Sequence, residues 1–188
     1  AFDEETKTWK NAKAKLELTM TLKTSNVAEL KAVAGAVKEQ WGAFGVPVEL
    51  EFYEPGDLTV SVIRPRKFEA LLFGLVVGRD HDLFPFWDSS QRNDPGLNVA
   101  MYANRAVDEL LDLTRGEPDR AKAQADLAKL NSMIAEEYPA AFVHAPDFLY
   151  AVPASLKGVS VFQIASPSDR FSNVAHWYRH AEMVWPFF

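Results

Sequence analysis

Leu16, Leu18, Met20 and Leu22 alternate with Glu17, Thr19 and Thr21. A period of two marks a strand with one face buried and one face wet. From Val27 the period changes. Val27, Leu30, Val33, Val37 and Trp41 recur at helical spacing, and this predicts an amphipathic helix with those five residues inward. Asn26 is expected to cap it, with Glu29 three residues on completing a capping box. Gly42 and Gly45 are expected to stop it. Val46, Val48, Leu50 and Phe52 then alternate with Glu49 and Glu51, which predicts a second strand. The whole strand–helix–strand run is roughly 35 residues, the size of a crossover between parallel strands.

A turn is expected at Glu54-Pro55-Gly56, and a short helix over residues 57–66, limited by Pro65. Phe68 to Val77 is apolar on both faces and predicts a central strand. Asn104 is placed to cap a helix running to about Thr114, with Val107, Leu110 and Leu111 inward and Asp108 as its first-turn acid. Pro118 suits the first turn of a longer helix, with Asp119 beside it and a stripe of Ala123, Leu127, Leu130 and Ile134. Pro139 ends it. Ala141 to Val152 is mostly apolar and reads as containing a strand, interrupted at Pro146-Asp147; loops and short strands follow. Residues 1–14 are polar and Lys-rich and read as a linker or frayed end, leaving 15–188 as a single α/β lobe.

Composition narrows the function. The chain has 188 residues, 48% hydrophobic and 24% charged, as for one globular domain or at most two small ones. A net charge of −6 argues against a nucleic-acid partner, which needs basic surface. With no cysteine, disulfides and thiolate metal sites are excluded, and an extracytoplasmic protein fits. No run approaches the roughly 18 apolar residues of a membrane span. The chain begins at Ala1 rather than Met, so a processed or truncated chain is expected.

No Gly-x-Ser-x-Gly elbow, Cys nucleophile, HExxH or phosphate-cradling glycine loop occurs, so an enzyme is not expected and no cofactor is implied. Asp80, His81 and Asp82 directly follow the apolar run, where ligands sit in open α/β sheets. A carboxylate there either holds a ligand ammonium or caps the following turn. A metal site is not expected, because consecutive residues rarely converge on one ion and His144, His176 and His180 are distant in sequence. Arg79 is the best placed to pair with a ligand carboxylate, ahead of Arg92 and Arg105. Phe84, Phe86 and Trp87 either line a pocket or pack the lobe, and Asn98 bonds either loop backbone or ligand.

Gly74, Asp80, Asp82, Trp87, Ser89, Ser90, Gln91, Gly96, Leu97, Asn98, Tyr102, Asn104, Val107, Asp108, Leu110 and Leu111 stand in an order and spacing that resembles one family. It is the large extracellular solute-binding proteins of ABC importers, family 5, the peptide and nickel-binding class. The chain departs from the pattern at Leu75, where the family often has Trp, and at His81, where it often has Pro. The resemblance implies an α/β fold: a lobe of the type II periplasmic-binding-protein kind, a mixed β-sheet flanked by helices on both faces. It implies that the chain is the carboxyl-terminal lobe, with the amino-terminal lobe, the export signal and any lipid-anchor Cys upstream. Its function would be to hold a peptide or similar small solute in an interlobe cleft, in the periplasm or outside the cell, and deliver it to ABC permease subunits. Asp80 or Asp82 would receive a peptide amino terminus. The alternative is a stand-alone interaction domain that uses the same lobe fold without transport.

Overall fold

The computed structural model describes residues 1–11, 13, 16–78, 81–161 and 164–180. They form two compact units, one of Ala1–Leu75 with Phe84–Gly116, the other of Val76–Leu83 with Glu117–Phe188.

The first unit is built on three parallel strands. β4 (Met20–Ser25) lies between β5 (Val48–Tyr53) and β6 (Ala70–Leu72). Helix α1 (Ala28–Ala43) connects β4 to β5 and packs on both. Leu22, Ala34 and Val48 form the buried centre, with Met20, Val37, Leu50, Ala70 and Leu72 around them. Met20 and Leu22 of β4 and Val48 and Leu50 of β5 meet the helix side as their alternation predicted, but Leu16 and Leu18 do not continue β4 and stand 66% and 54% exposed, and Phe52 is 43% exposed. Thr24 is buried and its Oγ1 donates to the Leu72 carbonyl at 2.7 Å, tying β6 to β4.

Three local expectations change. The run from Phe68 to Val77 is a strand only over Ala70–Leu72, at an edge of this sheet; β4 is central. A ladder extends only where a partner runs alongside, and β6 finds one in Leu22–Thr24 alone. Asn26 does not cap α1. Its amide donates to Glu54, and Val27 is the cap residue without a side-chain bond. The inward face of α1 centres on Ala34, while Val27 and Trp41 stay 47% and 44% exposed. A small residue at the centre lets the helix approach the sheet closely.

Residues 2–11, read as linker or frayed end, hold β1 (Phe2–Asp3) and β2 (Thr8–Asn11), which with β3 (Leu16–Glu17) make an antiparallel ribbon. Trp9 anchors it to the end of α1, its indole N–H donating to the Phe44 carbonyl at 2.8 Å. Gly45 has φ +92° there, and a Cβ would meet the Phe2 ring at 2.7 Å, so both conformation and space require glycine.

After β5 the chain turns through α2 (Pro55–Asp57) into a wide π-helical turn, Leu58–Ile63. α3 (Phe84–Trp87) and α4 (Arg105–Gly116) complete the unit. Asn104 caps α4 as expected, accepting from Ala106 and Val107 N–H at 2.9 and 3.3 Å, and Val107, Leu110 and Leu111 are buried.

The second unit carries α5 (Arg120–Glu137), with Leu130 and Ile134 buried. Its cap is Asp119, which accepts from Ala121 and Lys122 N–H, so Pro118 precedes the helix instead of opening it. Residues 141–152 contain no strand; Phe142 and Leu149 are 71% and 90% exposed. Lys157 and Tyr178 form an isolated antiparallel bridge beside a cluster of Tyr150, Phe171 and Trp177. No helix among the described residues is long and apolar enough to cross a membrane.

Candidate functional site

Parallel strands point their carboxyl ends to one edge of a sheet, and side chains just beyond that edge converge. Ser25 ends β4, Phe73, Gly74 and Leu75 follow β6, and Pro55 follows β5. Together with Leu30 from α1, Leu58, Thr59 and Ile63 from the π-helical turn, and Leu97 and Val99, they line a cavity of about 340 Å³. Its wall is almost wholly apolar. Ser25 is 5% exposed, and its hydroxyl has no hydrogen-bond partner among the described residues. The other hydroxyl on the wall, Thr59, donates to the Pro55 carbonyl at 3.0 Å.

Leu97 and Val99 reach the cavity from a loop, and Asn98 between them fixes that loop. It is fully buried. Its Nδ2 donates to the carbonyls of Asp88 (3.0 Å) and Tyr102 (2.9 Å), and its Oδ1 accepts the Tyr102 N–H (3.1 Å). The Asp108 carboxylate accepts Ser89 N–H at 2.9 Å and Ser89 Oγ–H at 2.6 Å. Asp88 Oδ1 accepts from Ser90 N–H and Oγ–H. The Arg66 guanidinium donates to the carbonyls of Arg92 and Gly96. Gly96 lies so close to the Gln91 carbonyl that a Cβ would approach its oxygen to 2.1 Å. Trp87 is buried edge-on against Tyr102, centroids 6.0 Å apart. Ser89, Ser90, Asn98, Tyr102 and Asp108, polar residues of the sequence resemblance, therefore form a scaffold.

Charge lies elsewhere on the sheet. Lys23 pairs with Glu51 at 3.3 Å, and Tyr53 Oη–H donates to Glu51 at 2.6 Å. The tyrosine hydrogen bond first, then Lys23, holds the Glu51 carboxyl below its ordinary range; the same bond to Glu51 raises Tyr53.

The expected site residues separate. Arg79 and Asp80 lie outside the described residues. His81 and Asp82 belong to the second unit. His81 is exposed, with φ +54° and its N–H bonded to the Gly78 carbonyl at 3.1 Å; Asp82 is half-buried. Phe86 is half-buried in α3, and neither Phe86, Trp87 nor Asn98 lines the cavity. Arg92 donates to the Ser89 carbonyl and Arg105 pairs with Glu109 on the surface of α4; Phe84 packs under Arg115, 4.4 Å from its ring centroid. Sequence reasoning passed over Ser25, Leu58 and Val99, and named Leu97 only within the family pattern, without a site role. The only available signal was the end of each alternating run, which marks where a strand's carboxyl edge falls. Among the described residues no three His, Asp or Glu side chains group as a metal site.

No family model matches the chain. The sequence is similar to the oligopeptide-binding protein AppA of Bacillus subtilis, 26% identical over 164 residues, covering 86% of this chain and 29% of that protein. The structure of AppA in complex with a nonapeptide superposes on 93% of this chain and 35% of AppA, with a TM-score of 0.69 and 24% identity. NikZ from Campylobacter jejuni, in complex with Ni(L-His), matches 94% of this chain and 36% of its own, with a TM-score of 0.65 and 17% identity. The Escherichia coli murein tripeptide binding protein MppA matches 69% of this chain and 25% of its own, with a TM-score of 0.58 and 20% identity. The chain thus spans between 25% and 36% of the length of these proteins. In sequence and fold this chain resembles the family 5 solute-binding proteins of ABC transporters, with their type II periplasmic-binding-protein architecture, over part of their length.

Proposed function

We propose that the chain is one lobe, the carboxyl-terminal one over residues 15–188, of an ABC-importer solute receptor. It would hold a peptide or similar small solute against a second, amino-terminal lobe, and hand it to membrane permease subunits. That work belongs in the periplasm or at the outer cell face. The observation that carries the reading is the apolar cavity at the carboxyl edge of the parallel sheet. Ligand sites are apolar hollows with few placed polar groups, at this edge of α/β sheets. Similarity to AppA over most of the chain points the same way.

Binding without chemistry is the proposed activity. The related proteins are binding proteins, and the chain carries none of the common catalytic motifs. Arg79, Asp80, His81, Asp82 and Phe86 are proposed ligand contacts, with the acids meeting a peptide amino terminus. Trp87 and Asn98 serve the ligand indirectly, by holding the wall in place. The test is calorimetry on a polypeptide that carries this chain together with the upstream region its relatives have. Mixed short peptides are expected to bind with micromolar or tighter affinity. A folded two-lobe protein that leaves every peptide and small solute unbound would end the receptor reading.

A further inference from the structure

We infer that the cavity at the carboxyl edge of the sheet accepts a compact apolar group bearing one hydrogen-bonding atom, with Ser25 Oγ as its partner. The inference rests on the receptor reading for its biological role, but its chemistry stands on the cavity itself.

Volume sets the size. About 340 Å³ is near the low end of the roughly 300–1,000 Å³ of ligand pockets, room for one ring or branched chain and not for a whole peptide. The lining sets the polarity. A buried hydroxyl without a partner is unfavourable, and native proteins rarely keep one without a use. Ser25 keeps one, 5% exposed and without a partner among the described residues, on the wall of a largely apolar cavity. Thr59 offers no substitute, because its hydroxyl hydrogen is already donated within the helical turn. A ligand hydroxyl at Ser25 satisfies both groups; a purely apolar ligand leaves the serine as it stands. Leu75 contributes wall here without filling the space, and Gly74 leaves it open, since nothing lies within 4 Å of where its Cβ would be.

Two sources offer such a group: a free small solute, such as a phenol, or a tyrosine-like side chain of a peptide. The experiment uses the whole chain and four probes followed by methyl NMR: p-cresol and toluene for the free solute, Ala-Tyr-Ala and Ala-Phe-Ala for the peptide. Shifts are expected at the methyls of Leu58, Leu75 and Leu97. The hydroxyl-bearing member of at least one pair should bind about tenfold tighter than its partner. In Ser25→Ala that preference should fall to about one, and the unliganded protein should melt higher, because an unpaired buried hydroxyl has been removed. Gly74→Val, which adds bulk on the cavity wall where a Cβ meets open space, should weaken binding of both members.

The inference is overturned if no probe moves those methyls in the folded protein. It is also overturned if the preference survives Ser25→Ala, or if Ser25→Ala lowers the melting temperature and so reveals a structural partner. A response to cresol with none to the peptides keeps the inference and assigns the site to free solutes, against peptide transport. The receptor reading fails separately, in the two-lobe titration, whatever the cavity does with cresol.

Discussion

Replacing Asn98 by leucine keeps most of the side-chain volume and removes three hydrogen bonds at once. It leaves the Asp88 carbonyl and both backbone groups of Tyr102 without that partner in a fully buried place. Each orphaned group costs on the order of 1 kcal/mol or more, so Asn98→Leu should lower the unfolding free energy by about 3 kcal/mol in urea denaturation. A loss under about 1 kcal/mol would mean the loop rearranges cheaply and is no scaffold. Asp3 supplies a pH test. Lys10 donates to its carboxylate, and the N–H groups of Thr6 and Glu5 add to this, so its value falls from 3.8 to about 2. A folded value below the unfolded one stabilises above the unfolded value, and the contribution disappears as pH falls through about 2. The side-chain carboxyl resonance of Asp3 should therefore titrate near 2, and Lys10→Met should move it upward toward 3.8. At this scale Asn98 was half legible: the sequence offered backbone or ligand as its partner, and buried geometry decides for backbone. Ser25 was not legible at all, because a lone serine at the end of an alternating run has no pattern to announce what surrounds it.

Helix α4 shows what periodicity reads well. Its apolar stripe, its cap and its length all act within a dozen residues, and all were visible in the sequence. Asn104→Ala should cost about 1 kcal/mol of stability, typical for a lost cap. Amide exchange should quicken first at Ala106 and Val107, the two donors to Asn104. Unchanged exchange there would show that the cap bonds contribute nothing. Helix α1 shows the limit. Its period was right, but the buried phase turned toward Ala34, because which stripe faces the sheet is set by how closely two elements can approach. β6 is shorter than its apolar run for a similar reason. Hydrophobicity says that a segment avoids water; only a neighbouring backbone makes it a strand.

Across the whole chain, apolar side chains stay in water. Tyr138, Phe142 and Leu149 are 85%, 71% and 90% exposed in the second unit. Exposed apolar surface of this kind favours association with something else. The chain alone should therefore bind a hydrophobic dye and self-associate as concentration rises, and Leu149→Lys should reduce both; a monomer indifferent to the dye at high concentration would refute this. On the two-lobe reading this chain offers half a cleft, which leaves much of a peptide wet, while good sites bury about 70–90% of a ligand. Peptide affinity of this chain by calorimetry should be no better than roughly millimolar, and a micromolar titration would contradict the two-lobe reading. One feature of the cavity gives these weak equilibria a practical readout. Leu97 and Val99, on its wall, flank Asn98, which holds the loop leading into α4. Occupancy and unfolding are then thermodynamically linked: a solute held by the native wall and released on melting raises the melting point, by about 2.7 kcal/mol of stability at a hundred times its dissociation constant. A library can be ranked by heat alone, before any member is known to be the natural cargo.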